Sequence, residues 1–175
     1  MTKRGMIQKL LLGMGVCLGF AACDKERDPC LEPKNVSVNL HFYRRAADTG
    51  TVFVDTLLPN MVLNPLDNPS VYTTGVRGVS RYSLRLSPLE DSCRWYLQPD
   101  STQPGKRDTL IFRYERRLHF ISNACGYTYY YKLNEVKTTG RILADTIHAI
   151  DSVVIANRDI EGDASKEHLK IYFHR

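Results

Sequence analysis

The sequence predicts an all-β protein, an antiparallel two-sheet sandwich of immunoglobulin-like architecture with seven to nine strands, on three observations. Apolar and polar residues alternate with period two from Asn35 onward, which is the spacing of strands that bury one face. The alternating runs are short and separated by turn-forming residues. The same region lacks the 3.6-residue period of an amphipathic helix. Several one-sided strands bury their apolar faces most simply by packing one sheet on another. A small β-barrel is the alternative, because alternation does not state whether the sheets close.

Each element follows from its own pattern. Val36, Val38, Leu40 and Phe42 alternate with Ser37, Asn39, His41 and Tyr43. Residues 51–58 form a less regular strand. Tyr82, Leu84 and Leu86 alternate with Arg81, Ser83, Arg85 and Ser87, and a short strand covers 95–97. Leu110, Phe112 and Tyr114 alternate with Ile111, Arg113 and Glu115, with a further strand at 118–122. Tyr127, Tyr129, Tyr131 and Leu133 share one face opposite Thr128, Tyr130 and Lys132. Alternation turns Tyr127, Tyr129 and Tyr131 inward and leaves Tyr130 as the aromatic available to a partner. A strand at 152–156 precedes the last, where Leu169, Ile171 and Phe173 oppose Lys170 and Tyr172. All eight prolines lie at or before Pro104, so irregular edge segments belong to the first half and a hairpin-rich sheet to the second.

The amino terminus carries an address. Lys3, Arg4 and Lys9 precede an apolar run over 10–22, which at 13 residues is short for a bilayer span of roughly 20 and fits the core of a cleavable export signal. Phe20-Ala21-Ala22-Cys23 then places two small side chains before a cysteine. This resembles the lipobox of bacterial lipoproteins, with Phe20 where Leu is usual, and the resemblance implies cleavage after Ala22 and lipid attachment at Cys23. Residues 1–22 are thus read as signal peptide, 23–34 as a lipidated tether and 35–175 as one β-sandwich domain. The tether opens with Asp24-Lys25-Glu26-Arg27-Asp28. In Bacteroidota-type lipoproteins acidic residues at this place direct transport to the cell surface, and here Lys25 and Arg27 interrupt the run.

Removing the signal takes three of the 24 basic residues, leaving 21 against 19 acids, a net charge near +2. The basic balance is thus partly a property of the signal, and nucleic acid loses its compositional support as a partner. Export places the remaining cysteines where a disulfide persists. Cys30 with Cys125 would pin the start of the domain to the strand region beside Gly126 and close a long loop; Cys93 with Cys125 is the alternative.

Seven of 12 Asp residues precede Ser or Thr, against about 1.5 expected when 22 of 175 residues are Ser or Thr. Five of these continue with a residue that makes the triplet similar to the O-glycosylation acceptor of exported Bacteroidota proteins, marking Thr56, Ser101, Thr109, Thr146 and Ser152. Asp before a strand-forming Thr is also an ordinary strand start. Asp159, Glu161, Asp163 and Glu167 offer carboxylates at near-alternate positions that could wrap calcium, or else form a polar hairpin loop. The histidines His41, His119, His148, His168 and His174 lie apart, with no metal-binding spacing. Neither a phosphate-binding glycine loop nor a serine nucleophile elbow is present, and no cofactor is expected.

The lipobox, the polar tether and the stretches Ile121-Ser122-Asn123-Ala124-Cys125-Gly126-Tyr127 and Lys170-Ile171-Tyr172-Phe173 resemble an uncharacterised family of Bacteroidota outer-membrane lipoproteins. The resemblance implies an exported protein, lipid-anchored to the outer membrane on its periplasmic or surface face. The expected function is a non-enzymatic binding or structural module whose partner is an envelope protein or glycan. The alternative is a hydrolase or metal-dependent enzyme whose site assembles only in three dimensions.

Overall fold

A computed structural model describes residues 29–32, 34–46, 52–67, 75–139 and 148–174. Residues 1–22, read from the sequence as a signal, and Cys23 and Thr146 lie outside the described residues. All elements among the described residues are strands: β1 (Val38–Arg45), β2 (Phe53–Asp55), β3 (Val62–Pro65), β4 (Arg81–Leu84), β5 (Ser92–Gln98), β6 (Asp108–Ser122), β7 (Gly126–Thr138), β8 (Ile150–Ile155), β9 (Asp159–Ile160) and β10 (Leu169–Phe173). They form two five-stranded sheets. The first runs β2-β1-β10-β8, with β4 also pairing with β1, and the second runs β3-β5-β6-β7-β9. Neither closes into a barrel.

One core lies between the sheets. Val38, Leu40 and Phe42 of β1 and Leu169, Ile171 and Phe173 of β10 face Leu63, Trp95, Leu97, Leu110, Phe112, Tyr114, Tyr131 and Leu133 of the other sheet. Period two in the sequence becomes burial here because each sheet has one covered face. The β1–β10 ladder is parallel, pairing Leu40 with Leu169 through Arg44 with Phe173, while every other ladder is antiparallel. Side-chain alternation is the same in either direction, so the pattern of these two strands carries no information about their relative sense.

Three elements differ from expectation. Residues 110–114 and 118–122 belong to a single 15-residue strand, β6, with a register shift at Arg113/Tyr114; the charged Glu115-Arg116-Arg117 stretch that looks like a break is where the strand passes beyond the core. Strand β3 ends at Pro65 and lies at a sheet edge, where a missing N–H costs nothing to the ladder. Strand β9 has two residues in what reads as a loop. Gly126, with φ +73°, begins β7 and supplies the left-handed backbone that a residue with Cβ adopts only with strain.

The start of the domain is fixed to the tip of the β6–β7 hairpin. Cys30 and Cys125 form a disulfide with Cα atoms 4.8 Å apart, and Cys93 is free and buried. Thr128 Oγ1 donates to the Lys34 carbonyl at 2.9 Å. Cys30, which the sequence reading places within a tether of residues 23–34, is thus bonded to the sandwich.

Candidate functional site

Period two sends Asn39, His41 and Tyr43 of β1 away from the core, onto the outer face of the first sheet. Ladder register then sets their neighbours. His41 pairs with Lys170 of β10 and Arg81 of β4, and Tyr43 pairs with Tyr172 of β10 and Asp55 of β2. Tyr43 stacks on Tyr172 with ring centroids 5.4 Å apart, and Phe53 meets Tyr172 edge-on at 4.5 Å. Arg45 lies over Phe53 at 5.3 Å and Lys170 over Tyr43 at 5.7 Å, both within cation–π range. The result is a strip of aromatic rings edged by charges of both signs.

His41 is the most enclosed member, with its side chain only 5% exposed. Its Nδ1 lies 2.9 Å from Glu167 Oε2 and 2.8 Å from Tyr43 Oη. Its Nε2 is 3.1 Å from Asp55 Oδ2, within ion-pair distance but without hydrogen-bond geometry. Burial, reinforced by the Glu167 and Asp55 carboxylates, pushes the Tyr43 phenol up to about 12. The hydroxyl therefore keeps its proton at neutral pH and acts as a donor.

The loop that brings Glu167 over His41 is held from β1. Asn39 Nδ2 donates to the Lys166 carbonyl at 2.8 Å, and Ser83 Oγ donates to Asn39 Oδ1 at 2.7 Å. The Asn39 backbone N–H donates to His168 Nδ1 at 3.0 Å. Burial, with the nearby Lys166 charge, lowers the His168 pKa, so the ring is neutral and carries its proton on Nε2. Beside the cluster a depression of about 290 Å³ is lined by Asn39, His41, Arg81, Ser83, Lys166 and Glu167 among others.

The carboxylates grouped by sequence as a calcium loop separate in space. Asp159 and Glu161 face Arg117 at 3.2 and 4.0 Å, Asp163 accepts from Ser165, and Glu167 turns to His41 and Lys170. Asp159 and Glu161 share Arg117 while Asp163 and Glu167 engage other groups, and among the described residues no three His, Cys, Asp or Glu side chains are disposed to hold a metal ion. In the His41 cluster the two carboxylates lie at opposite nitrogens of one ring and share no common centre.

Other sequence-marked residues also change character. Tyr130 is half-buried and stacked on His119 at 4.1 Å, with ring planes 14° apart. Within the expected inward trio, Tyr131 is buried, Tyr129 half-buried and Tyr127 exposed. Of the acceptor triplets, Thr56 is buried, Ser101 and Thr109 are half-buried, and Ser152 is exposed on β8. The carboxylate before Thr109 is itself engaged: Asp108 is buried and accepts from the Ala149 and Ile150 backbone N–H groups at 2.8 Å each, with His148 Nδ1 at 3.1 Å. That is the strand-start use of the triplet. Cys93 has its thiol pKa raised by burial, which makes it a poor nucleophile.

The His41 cluster was not legible as a site. Its members come from three separated segments, and their shared face exists only once β1 has paired with β2, β4 and β10. The one signal was period two itself, which assigns His41 and Tyr43 to a common face.

No curated protein and no solved structure matches the chain. A family model described as a family of unknown function, DUF6452, matches residues 60–173, and the chain belongs to that family.

Proposed function

We propose that the protein is a lipid-anchored module of the bacterial outer membrane, non-enzymatic, that binds an envelope glycan through the outer face of its first sheet. The observation that carries this reading is the strip Phe53–Tyr172–Tyr43–His41. Aromatic faces beside fixed donors and acceptors are the combination that holds a sugar, which is apolar on one ring face and polar around its rim. The support for the address is the lipobox at Cys23, with the Cys30–Cys125 disulfide as the kind of bond that persists outside the cytoplasm. The module needs no cofactor and has no nucleic-acid partner in this reading.

The test is retention of polysaccharide from the native envelope by the immobilised protein. Tyr43→Ala with Tyr172→Ala should weaken retention by about tenfold or more, since two aromatic contacts are lost, while circular dichroism remains that of the parent. Equal retention by the double variant would remove the strip from the proposal.

A second reading has its own observation, the His41–Glu167–Asp55 cluster beside the depression. A hydrolase would use such a histidine as a general base. Here both ring nitrogens already face side chains, and Tyr43 stays protonated, so the cluster supports positioning of the strip better than proton abstraction. Release of reducing ends from the same polysaccharide, lost in His41→Gln, would reverse that preference.

A further inference from the structure

The face of β6 that carries Leu110, Phe112 and Tyr114 in the core continues beyond it. Its next positions are Arg116, Leu118 and Phe120. Arg116 Nε bonds Asp91 Oδ1 at 2.6 Å and its Nη1 donates to the Pro88 carbonyl at 2.8 Å, which closes the end of the core. Past that closure Leu118 is 62% exposed and Phe120 47%, and Tyr127, paired with Phe120 across the hairpin, is 61% exposed. The Phe120 and Tyr127 rings touch, with centroids 5.1 Å apart.

Chain geometry says what this tip faces. Cys30 is bonded to Cys125 in the turn between β6 and β7, and only seven peptide units separate Cys30 from Cys23. Seven residues span at most about 25 Å when fully extended. The opposite end of β6, at Asp108, is fourteen residues from Ser122, or about 46 Å at roughly 3.3 Å per residue. Asp108 there holds the start of β8, and Ile150 pairs with Phe173, which pairs with Arg44, the partner of Val54. Val54 is therefore at the far end of the sandwich, and an anchor on Cys23 reaches the hairpin tip and not that end.

We infer that the tip formed by Leu118, Phe120 and Tyr127, with the exposed Leu31 next to the disulfide, is a membrane-seating surface inserted at the polar–apolar boundary of the bilayer beside the lipid on Cys23. The inference rests on the lipid-anchor reading above. Phenol and phenyl rings together suit that boundary, the hydroxyl remaining wet while the ring bodies leave water. The tether raises the local concentration of bilayer at the tip, so a patch too small to bind membrane alone suffices. The disulfide then acts as an orienting staple: it joins the chain that follows Cys23 to the sandwich at the apolar end.

The test uses the lipidated full chain in vesicles of phosphatidylethanolamine and phosphatidylglycerol, with or without phosphatidylcholine brominated in its acyl chains. Phe120→Trp is compared with Val54→Trp, and Trp95, buried in the parent chain, supplies a constant background. The expected result is bromine quenching of the added indole about twofold or more greater at 120 than at 54, as a residue at the interface should show. Equal quenching, with the protein still floating with the vesicles and acylated by mass, overturns the seating surface and leaves the anchor standing. Shielding of residue 120 without bromine quenching, accompanied by a dimer mass in light scattering, assigns the tip to a second copy and also overturns it. A processed chain without acyl mass on Cys23 that fails to float removes the anchor reading, and this inference with it.

Discussion

Within the β6–β7 hairpin, the half near Asp108 and the half near Ser122 are written in the same pattern and end in opposite environments. Leu110, Phe112 and Tyr114 are sealed against the first sheet, whereas Leu118 and Phe120, on the same face of the same strand, are open to solvent. The backbone continues unbroken through both halves; what stops is the opposing sheet. Alternation therefore identifies a face, and the reach of the facing sheet decides how much of that face is core.

Truncation at matched positions gives the largest expected contrast. Phe112→Ala removes a fully buried ring and should cost about 4 kcal/mol in chemical denaturation, while Phe120→Ala should stay within about 0.5 kcal/mol. Similar costs at the two positions would mean that the distal half is covered in the folded molecule and that the comparison fails.

The polar closure at the sealed end comes next. Asp108→Ala leaves the buried N–H groups of Ala149 and Ile150 without their acceptor, an expected loss of about 3 kcal/mol. Asp108→Asn retains one acceptor oxygen and should lose less. A loss below about 0.5 kcal/mol in Asp108→Ala would show that water replaces the carboxylate.

The smallest effect is one of pH and concerns the loop over His41. Because burial lowers the His168 pKa from its ordinary 6.5, the folded chain holds this proton less readily than the unfolded chain. Its stabilising share is thus complete above about pH 6.5 and is lost as pH falls through the depressed folded value. Urea midpoints at pH 7.5 and 5.5 should differ less in His168→Asn, whose amide oxygen can still accept from the Asn39 N–H. An unchanged pH difference in that variant would exclude His168 as the source.

Individual residues show how far the sequence could be read. Val38, Leu40 and Phe42 have their polar neighbours at alternate positions and face the core as that spacing requires. Tyr127 has the same spacing relative to Tyr131 and does not, because it lies past the Arg116–Asp91 closure. Glu167 reads in sequence with Asp159 and Asp163, its neighbours along the chain, yet the anchoring of its loop by Asn39 delivers it to His41, 126 residues away. Tyr130 presents itself as a lone outward aromatic only while the adjacent strand, which carries His119, is out of view.

By itself the sequence determined the all-β class, the faces of the long strands and the small set of thiols available for a bridge, since these depend on side-chain period and covalent inventory. The tertiary structure decided the parallel β1–β10 rung, the His41 cluster, the dispersal of the acidic loop and the uncovered hairpin tip. Each depends on which strands become neighbours and how far one sheet extends over the other. Those are properties of contacts distant along the chain, and a local alternation of apolar and polar residues does not encode them.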